Sequence, residues 1–448
     1  MIPILDFQER ALRGPVMKAT EFDVAFSKKL RALVADHEIS RDSEAVGVDE
    51  QTADAIFEAG LRLLAEVGLY HLDTQRVVEF SEQELRQIAR EYRENPPEVV
   101  FGRGEDEIRI RHRTGEEPRP PILAAGPAGE IEQEWFVPFV QSFVEEPSNR
   151  ALGIAGGITS VDGRAPKVGT LSEMYCAQWE CEQILEIARR AGRPGMHLGL
   201  LSTASSVGAT MACMRPGLRE PHNTQIGIHI MPEQKIDWNR LVLAKFCEDR
   251  GITPWTSCVS VMGGLCRRGP DVAVGLVANL LGQLCYGHGS LVSLFTNRMD
   301  GSWGDAECQW ASSGASRASE RHIRVPIAGV CAQTKERGRT FSGYCLGAAM
   351  AVSNTANGFA YAWIAGGSGP EARLYGEVID AVAGMKREQA EALVSRLLAA
   401  SDERAGVGPE WMEFLDVFDL EAMRFKPEFF DNLARAKEIV AGLGVPFS

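Results

Sequence analysis

Eight short apolar runs, each punctuated by glycine or ended by small polar residues, constrain this chain more than any other feature. They read "ILAAG" (122–126), "LGIAGGITSV" (152–161), "MHLGLLST" (196–203) and "TQIGIHIM" (224–231), then "WTSCVSVM" (255–262), "SLVSLFTN" (290–297), "VPIAGVCA" (325–332) and "FAYAWIAGG" (359–367). Continuous apolar runs of this length suit strands buried on both faces, the condition inside a parallel sheet. Helical periodicity fills most of the gaps, clearest in "TLSEMYCAQWECEQILEIARRAG", "GPDVAVGLVANLLGQLCYG" and "FSGYCLGAAMAVSNTANG". Eight such alternations predict an α/β fold, a (β/α)8 TIM barrel over residues 122–385, with a doubly wound open sheet as the alternative.

The flanks read differently. Residues 1–115 predict an N-terminal helical extension without strand alternation, in which Ile56, Leu63, Leu64 and Val67 share one helical stripe. Ser81 and Glu84 stand in capping-box spacing, so a further helix starts there. "GEEPRPP" (115–121) is a proline-broken linker, and residues 386–448 read as C-terminal helices packed on the barrel.

Charge narrows the partners. A net charge of −14 and a pI near 5.2 argue against nucleic acid or an anionic membrane. No run approaches the roughly 18 apolar residues of a membrane span, and the start, "MIPILDFQER", gains charges too early for a signal peptide. The ten cysteines, Cys176 to Cys345, form no CxxC pair and read as small apolar core residues in a reducing compartment. These features predict a soluble cytoplasmic enzyme.

In a barrel of this kind, chemistry sits where strands end and βα loops begin. Those points fall near Ser160, Gly199–Ser205, Met231–Glu233, Met262–Gly264, Asn297, Ala332 and Gly366. Common motifs fail there. "GGSGPEAR" (366–373) has no following Lys-Ser/Thr, "AGGITSVDG" does not open a helix as GxGxxG, and neither HExxH nor GxSxG occurs. Of eight histidines, His37, His71 and His112 suit surface or capping roles, while His222, His288 and His322 fall in turns or at strand starts. His197 and His229 lie inside barrel strands, either as core histidines bonded to backbone carbonyls or as a general base or substrate ligand. A zinc site from His197, His229, Cys258 and Cys331 is a further option. Glu233 is the nearest acid, and it also suits a loop entering a helix. The residues alone describe an acidic barrel enzyme with a neutral mouth.

Several stretches, taken in order, resemble the monomethylamine:corrinoid methyltransferases. They are "IFEAGLRLLAEVGLYHLDTQRVVEFSEQEL" (56–85), "AGPAGEIEQEWFVP" (125–138), "AGRPGM" (191–196), "KID" (235–237) and "GG" (263–264), followed by "CLGAAMAVSNTANG" (345–358) and "GPEARLYGEVIDAVAGM" (369–385). The resemblance implies a (β/α)8 barrel and a homo-oligomer, a hexamer by analogy. It implies transfer of a methyl group to the Co(I) of a corrinoid (cobalamin) held by a partner protein, with none bound permanently to this chain. It also places the departures. The family's pyrrolysine falls on Gly199, two residues after His197 on the same strand face, and its catalytic glutamate falls on or near Ser257. Its glutamine and tyrosine fall near Ile323 and Val325, and another acid of the His229 strand is replaced by apolar residues or Gly227.

Without an amine-capturing electrophile, monomethylamine is disfavoured as substrate. A small methylated donor is expected instead: a quaternary amine, a sulfonium or a methoxy compound, with Trp255 or Trp303 as aromatic faces for a cation. Candidate catalytic residues are His229, His197 and Ser257. Candidate substrate-binding residues are Gly199, Ser202, Cys258, Asn297, Cys331 and Gln333, with no metal ligand assigned. The alternative is a diverged barrel of other chemistry, zinc-dependent or a non-catalytic scaffold.

Overall fold

The computed structural model describes residues 2–42, 46–153, 155–287, 290–333, 338–408 and 411–447. The strands at its centre are β1 (Ile122–Gly126), β2 (Ala151–Leu152), β3 (197–200), β4 (225–230), β5 (Thr256–Met262), β6 (Val292–Arg298), β7 (Ile327–Gln333) and β8 (Tyr361–Ala365). Six of them form one sheet in the order β5-β6-β7-β8-β1-β2. Its ladders are parallel, from Thr256↔Val292 to Met262↔Arg298 between β5 and β6, and from Tyr361↔Ile122 to Ala365↔Gly126 between β8 and β1. Parallel bridges Ala151↔His197, Leu200↔Gln225, Gly227↔Trp255 and Ile230↔Cys258 add β3 and β4 and close the ring. The predicted runs are therefore the strands of a closed (β/α)8 barrel, and the open sheet is excluded because β5 pairs on both sides.

The outer layer explains why some helices are apolar all round. Every one of the 18 residues of helix Gly269–Tyr286 is buried, because the N-terminal helix Glu50–Val67 lies over it. Gly60 permits that approach, since a Cβ there would stand 2.6 Å from Val277 Cγ1. Each fully buried Leu or Val in such a layer contributes roughly 1.5–3 kcal/mol. On the far side, helix Phe341–Ala356 is covered by Arg387–Glu403. The Ser342 hydroxyl donates to the Ser401 carbonyl at 2.8 Å, and the Ser401 hydroxyl returns the bond at 2.7 Å. Helix starts follow their local chemistry: Ser81 Oγ accepts from Glu84 N at 3.2 Å, and Asp49 Oδ1 from Thr52 N at 2.7 Å.

The N-terminal segment departs from its all-helical expectation in two places. Leu69–His71 pairs antiparallel with Arg76–Val78, and Glu98–Phe101 with Ile108–Arg111. The second hairpin matters for the site. Val99, Phe101, Ile108 and Ile110 are buried against Tyr361, Trp255 and Leu291 at the N-terminal ends of the barrel strands, and so stopper that end. None of the described helices is long and apolar enough to cross a membrane.

Candidate active site

A cavity of ≈ 600 Å³ opens toward the C-terminal side of the barrel, lined by β4, β5, β6, β8 and the loop after β3. The period of two along a strand decides which side chains reach it. Trp255, just ahead of β5, and Ser257 and Val259 within it line the cavity, as do Ser293 and Phe295 of β6. Cys258 lies between the β5 residues and faces the helical layer, fully buried. Beyond β4 the cavity continues outward to Asn239, Arg240 and Leu243 of helix Trp238–Arg250.

β3 is where the wall departs from regular sheet. Gly199 has φ +71°, a left-handed backbone that interrupts the strand. Carbonyls freed by this turn still need donors. The buried Arg219 guanidinium supplies them, donating to the carbonyls of Asn223 at 3.0 Å and Leu200 at 3.1 Å. Hydrogen bonds to a charged donor are worth about 1.5–3 kcal/mol each, enough to hold the break in one shape. Past it, Leu200, Leu201, Ser202 and Ser205 turn into the cavity.

The lining has aromatic and cationic ends. The Trp255 and Trp363 rings meet edge-on at 5.4 Å, and both are anchored: Trp255 Nε1 donates to Ser257 Oγ at 2.8 Å, and Trp363 Nε1 to the Gly153 carbonyl at 3.0 Å. Among the described lining residues, His229 and Arg240 are the ionisable ones, and no carboxylate is present. His229 is half-buried on β4, its ring over Gly227, where a Cβ would stand 2.7 Å from Nε2. Its Nδ1 is buried without a hydrogen-bond partner among the described residues. Burial, reinforced by the charge of Arg240, lowers the imidazole to about 4, so it is neutral at pH 7.

Three carboxylates that hold the site in place lie behind its wall. Glu173 and Glu180 project from helix Leu171–Arg190 beneath the loop after β3. Glu173 accepts from Ser205 N and Ser206 N, both at 2.7 Å, and from the Ser206 hydroxyl at 2.7 Å. Burial pushes its carboxyl upward, but these donors and Gly169 N hold it below the usual range. Glu180 accepts from the Thr203 hydroxyl, and burial raises its carboxyl to about 7. Glu233 is likewise raised by burial to about 7. It is bonded to Ser260 Oγ at 2.8 Å and Val261 N at 3.0 Å. Sequence reasoning missed Glu173 and Glu180. Their signal was two acids seven residues apart on the same stripe as Cys176, Ala177 and Ile184.

The structure brings some predicted residues together and separates others. His229, Ser257 and Ser202 line the cavity. Gly199 immediately precedes its wall, and Asn297 follows Phe295 on the inward face of β6, with Oδ1 buried and unpartnered among the described residues. His197 lies elsewhere, at the stoppered end. It stacks on Phe101 at 3.9 Å, with Nε2 3.2 Å from Gln225 Oε1 and Nδ1 3.3 Å from the His222 carbonyl. Those contacts make it a core histidine, correcting its placement among catalytic candidates. Cys258 is corrected likewise, since it faces away from the cavity.

The side chains of Cys331 and Gln333, and all of His288, lie outside the described residues. Because His197 and Cys258 point to different places, the suggested zinc set does not assemble. Among the described residues no three His, Cys, Asp or Glu groups converge on a point. Ile323 and Val325 are fully buried ahead of β7, so the correspondences assigned there fall outside the cavity lining. Glu233, 2% exposed, tethers β4 to β5 instead of facing the cavity or leading a helix. Trp303 packs behind Phe295, ring centroids 4.4 Å apart, and it is Trp363 that lines the cavity beside Trp255. His71, expected at the surface or as a cap, is fully buried against Trp238, though its Nδ1 does accept from Thr74 N at 3.4 Å.

The whole chain has known counterparts. Residues 2–291 match the family model described as monomethylamine methyltransferase MtmB. The chain is 24% identical to monomethylamine methyltransferase MtmB of Methanosarcina mazei, over 99% of its own length and 98% of the relative's. It is also 24% identical to MtmB2 of Methanosarcina barkeri, with the same coverage. The crystal structure of the Methanosarcina barkeri monomethylamine methyltransferase superposes with a TM-score of 0.89 at 22% identity, covering 99% of this chain and 98% of that one. A hydroxylamine complex of MtmB superposes equally well, with a TM-score of 0.89. A family match across more than half of the chain, joined to a barrel of the same architecture, places this protein in the monomethylamine methyltransferase MtmB family.

Proposed function

We propose that this protein transfers a methyl group from a small onium compound, a quaternary amine or a sulfonium, to the Co(I) of a corrinoid carried by a partner protein, and that monomethylamine is not its substrate. One observation carries the reading: the cavity joins an indole-rich wall to a neutral His229 and contains no acid among its described lining residues. A methyl on positively charged nitrogen or sulfur leaves behind a neutral amine or thioether, so no proton has to be delivered. In the transfer, the Co(I) electron pair forms the new bond to carbon. The carbon–heteroatom pair stays on the departing atom, and cobalt is oxidised by two electrons to Co(III). An ether oxygen would need protonation to leave, and His229 is not protonated at neutral pH. The methoxy class is disfavoured for that reason.

The chain's own residues bind, orient and exclude water. Trp255 and Trp363 offer ring faces to the cation, while Ser202, Ser257, His229 and Asn297 supply polar contacts around it. Gly199 stands, on this reading, where relatives carry their reactive residue. The partner docks over the cavity mouth, and the protein acts as a homo-oligomer.

The test mixes the protein with a Co(I) corrinoid protein and follows the visible spectrum with each donor class. Methyl–Co(III) formed from a quaternary ammonium or sulfonium compound, and none from monomethylamine, is the expected result. Transfer from monomethylamine, or from a methoxy compound alone, overturns it. Silence from every class would favour a scaffold.

A further inference from the structure

The cavity is electrostatically lopsided in a way that a bare organic cation does not match. Its inner end presents the rings of Trp255, Trp363 and Phe295. Its outer end, past β4, presents Arg240 and Asn239 at the start of helix Trp238–Arg250. Arg240 is only partly occupied. Its Nη1 donates to Asp237 Oδ2 at 2.5 Å, while Nε and Nη2 donate to no described residue, and the side chain remains 31% exposed. The Asn239 amide also makes no bond to a described residue. Between the two ends, the buried Nδ1 of His229 has no partner among the described residues. An onium ion alone would share this space with an arginine whose carboxylate partner, Asp237, lies outside the lining, and would meet no carboxylate of its own among the described lining residues. A volume of ≈ 600 Å³ also exceeds what a trimethylammonium head fills.

We propose that the methyl donor is a zwitterion, its methylated onium end lying against Trp255 and Trp363 and a carboxylate tail bound by Arg240 with the Asn239 amide. The inference rests on the onium reading above. A carboxylate fits better than a phosphate. The guanidinium's open edge matches one planar monoanion, whereas a dianion beside Asp237 would leave uncompensated negative charge. A substrate that carries both charges meets complementary surfaces at both ends, and its tail fixes which methyl faces the mouth.

The experiment measures binding by calorimetry and methyl transfer to a Co(I) corrinoid protein with four probes: trimethylammonioacetate, trimethylammoniobutanoate, choline and tetramethylammonium. At least one carboxylate probe should bind and react tenfold or more better than choline. Arg240→Gln should erase that advantage, with choline used as well as or better than before because a like charge is gone, and Arg240→Lys should restore part of it. Choline serves as the internal check on folding in each variant. Equal use of choline and both carboxylates, or a uniform loss in Arg240→Gln, overturns the carboxylate subsite and leaves the onium reading standing. No binding or transfer from any of the four, nor from dimethylsulfoniopropanoate run alongside them, overturns both.

Discussion

Replacing Glu180 by glutamine should stabilise this protein at alkaline pH, although it deletes a charged group that accepts a hydrogen bond. Glu180 is 1% exposed, and burial, with a smaller push from Cys181, raises its carboxyl from 4.5 to about 7. In the unfolded chain it ionises near 4.5, so between about pH 4.5 and 7 the folded state holds the extra proton. Stability then falls as pH rises through that window. Each pH unit of displacement is worth about 1.4 kcal/mol, so above pH 7 the folded state carries a penalty of about 3 kcal/mol. At pH 5 most of that penalty has gone, leaving under about 1 kcal/mol. Glutamine has the same shape, keeps an acceptor for the Thr203 hydroxyl and never ionises. Glu180→Gln should therefore gain about 2.5 kcal/mol relative to wild type between pH 5 and pH 8.5, read from urea unfolding at the two values. A variant equally destabilised at both would show that Glu180 is ionised and favourable where it sits, refuting the desolvation argument.

Other consequences can be tested alongside. His229 and His197 are both lowered by burial to about 4. Protons bound by the unfolded chain below about pH 6.5 should erode stability as pH falls from there toward 4, whereas the rate of methyl transfer should show no histidine ionisation between pH 6 and 8. Gly199→Ala should cost about 1 kcal/mol, the strain at φ +71° being partly offset by a stiffer unfolded chain; a stabilised variant in thermal melts would contradict it. Trp255→Leu should weaken onium binding about tenfold, worth about 1.4 kcal/mol, with little effect on an uncharged analogue of the same shape in calorimetry.

Legibility in the sequence followed the range of the interactions involved. β5 to β8 were readable because each is buried on both faces and so written as a continuous apolar run. The hairpin Glu98–Phe101 with Ile108–Arg111 was not, because "EVVF" and "IRIR" alternate over only four residues each, too few to stand out inside a helical segment. Helix Gly269–Tyr286 announced its burial by being apolar on all sides, but nothing local said that Glu50–Val67 would cover it. At the site, His229 and Ser202 were singled out from their places in or just after the strands and Ser257 from the resemblance, and all three line the cavity. His197 was misjudged because Gly199 turns the backbone, so its neighbours along the chain do not share its surroundings. Trp363 was within reach of the alternation rule, sharing a face with Tyr361. Arg240 was not, because its approach to the cavity depends on where β4 hands over to a helix.

The hairpin packed into the N-terminal end of the barrel also imposes an order in time. With Phe101, His197 and Tyr361 filling that end, the proposed function gives the donor and its demethylated product the same doorway that the methyl acceptor would cover. Loading must then precede docking, and the spent amine or thioether must wait for the partner to leave. A shared mouth would turn two substrates into a queue, in which excess acceptor protein shuts the door on an empty chamber and slows the reaction it is needed for.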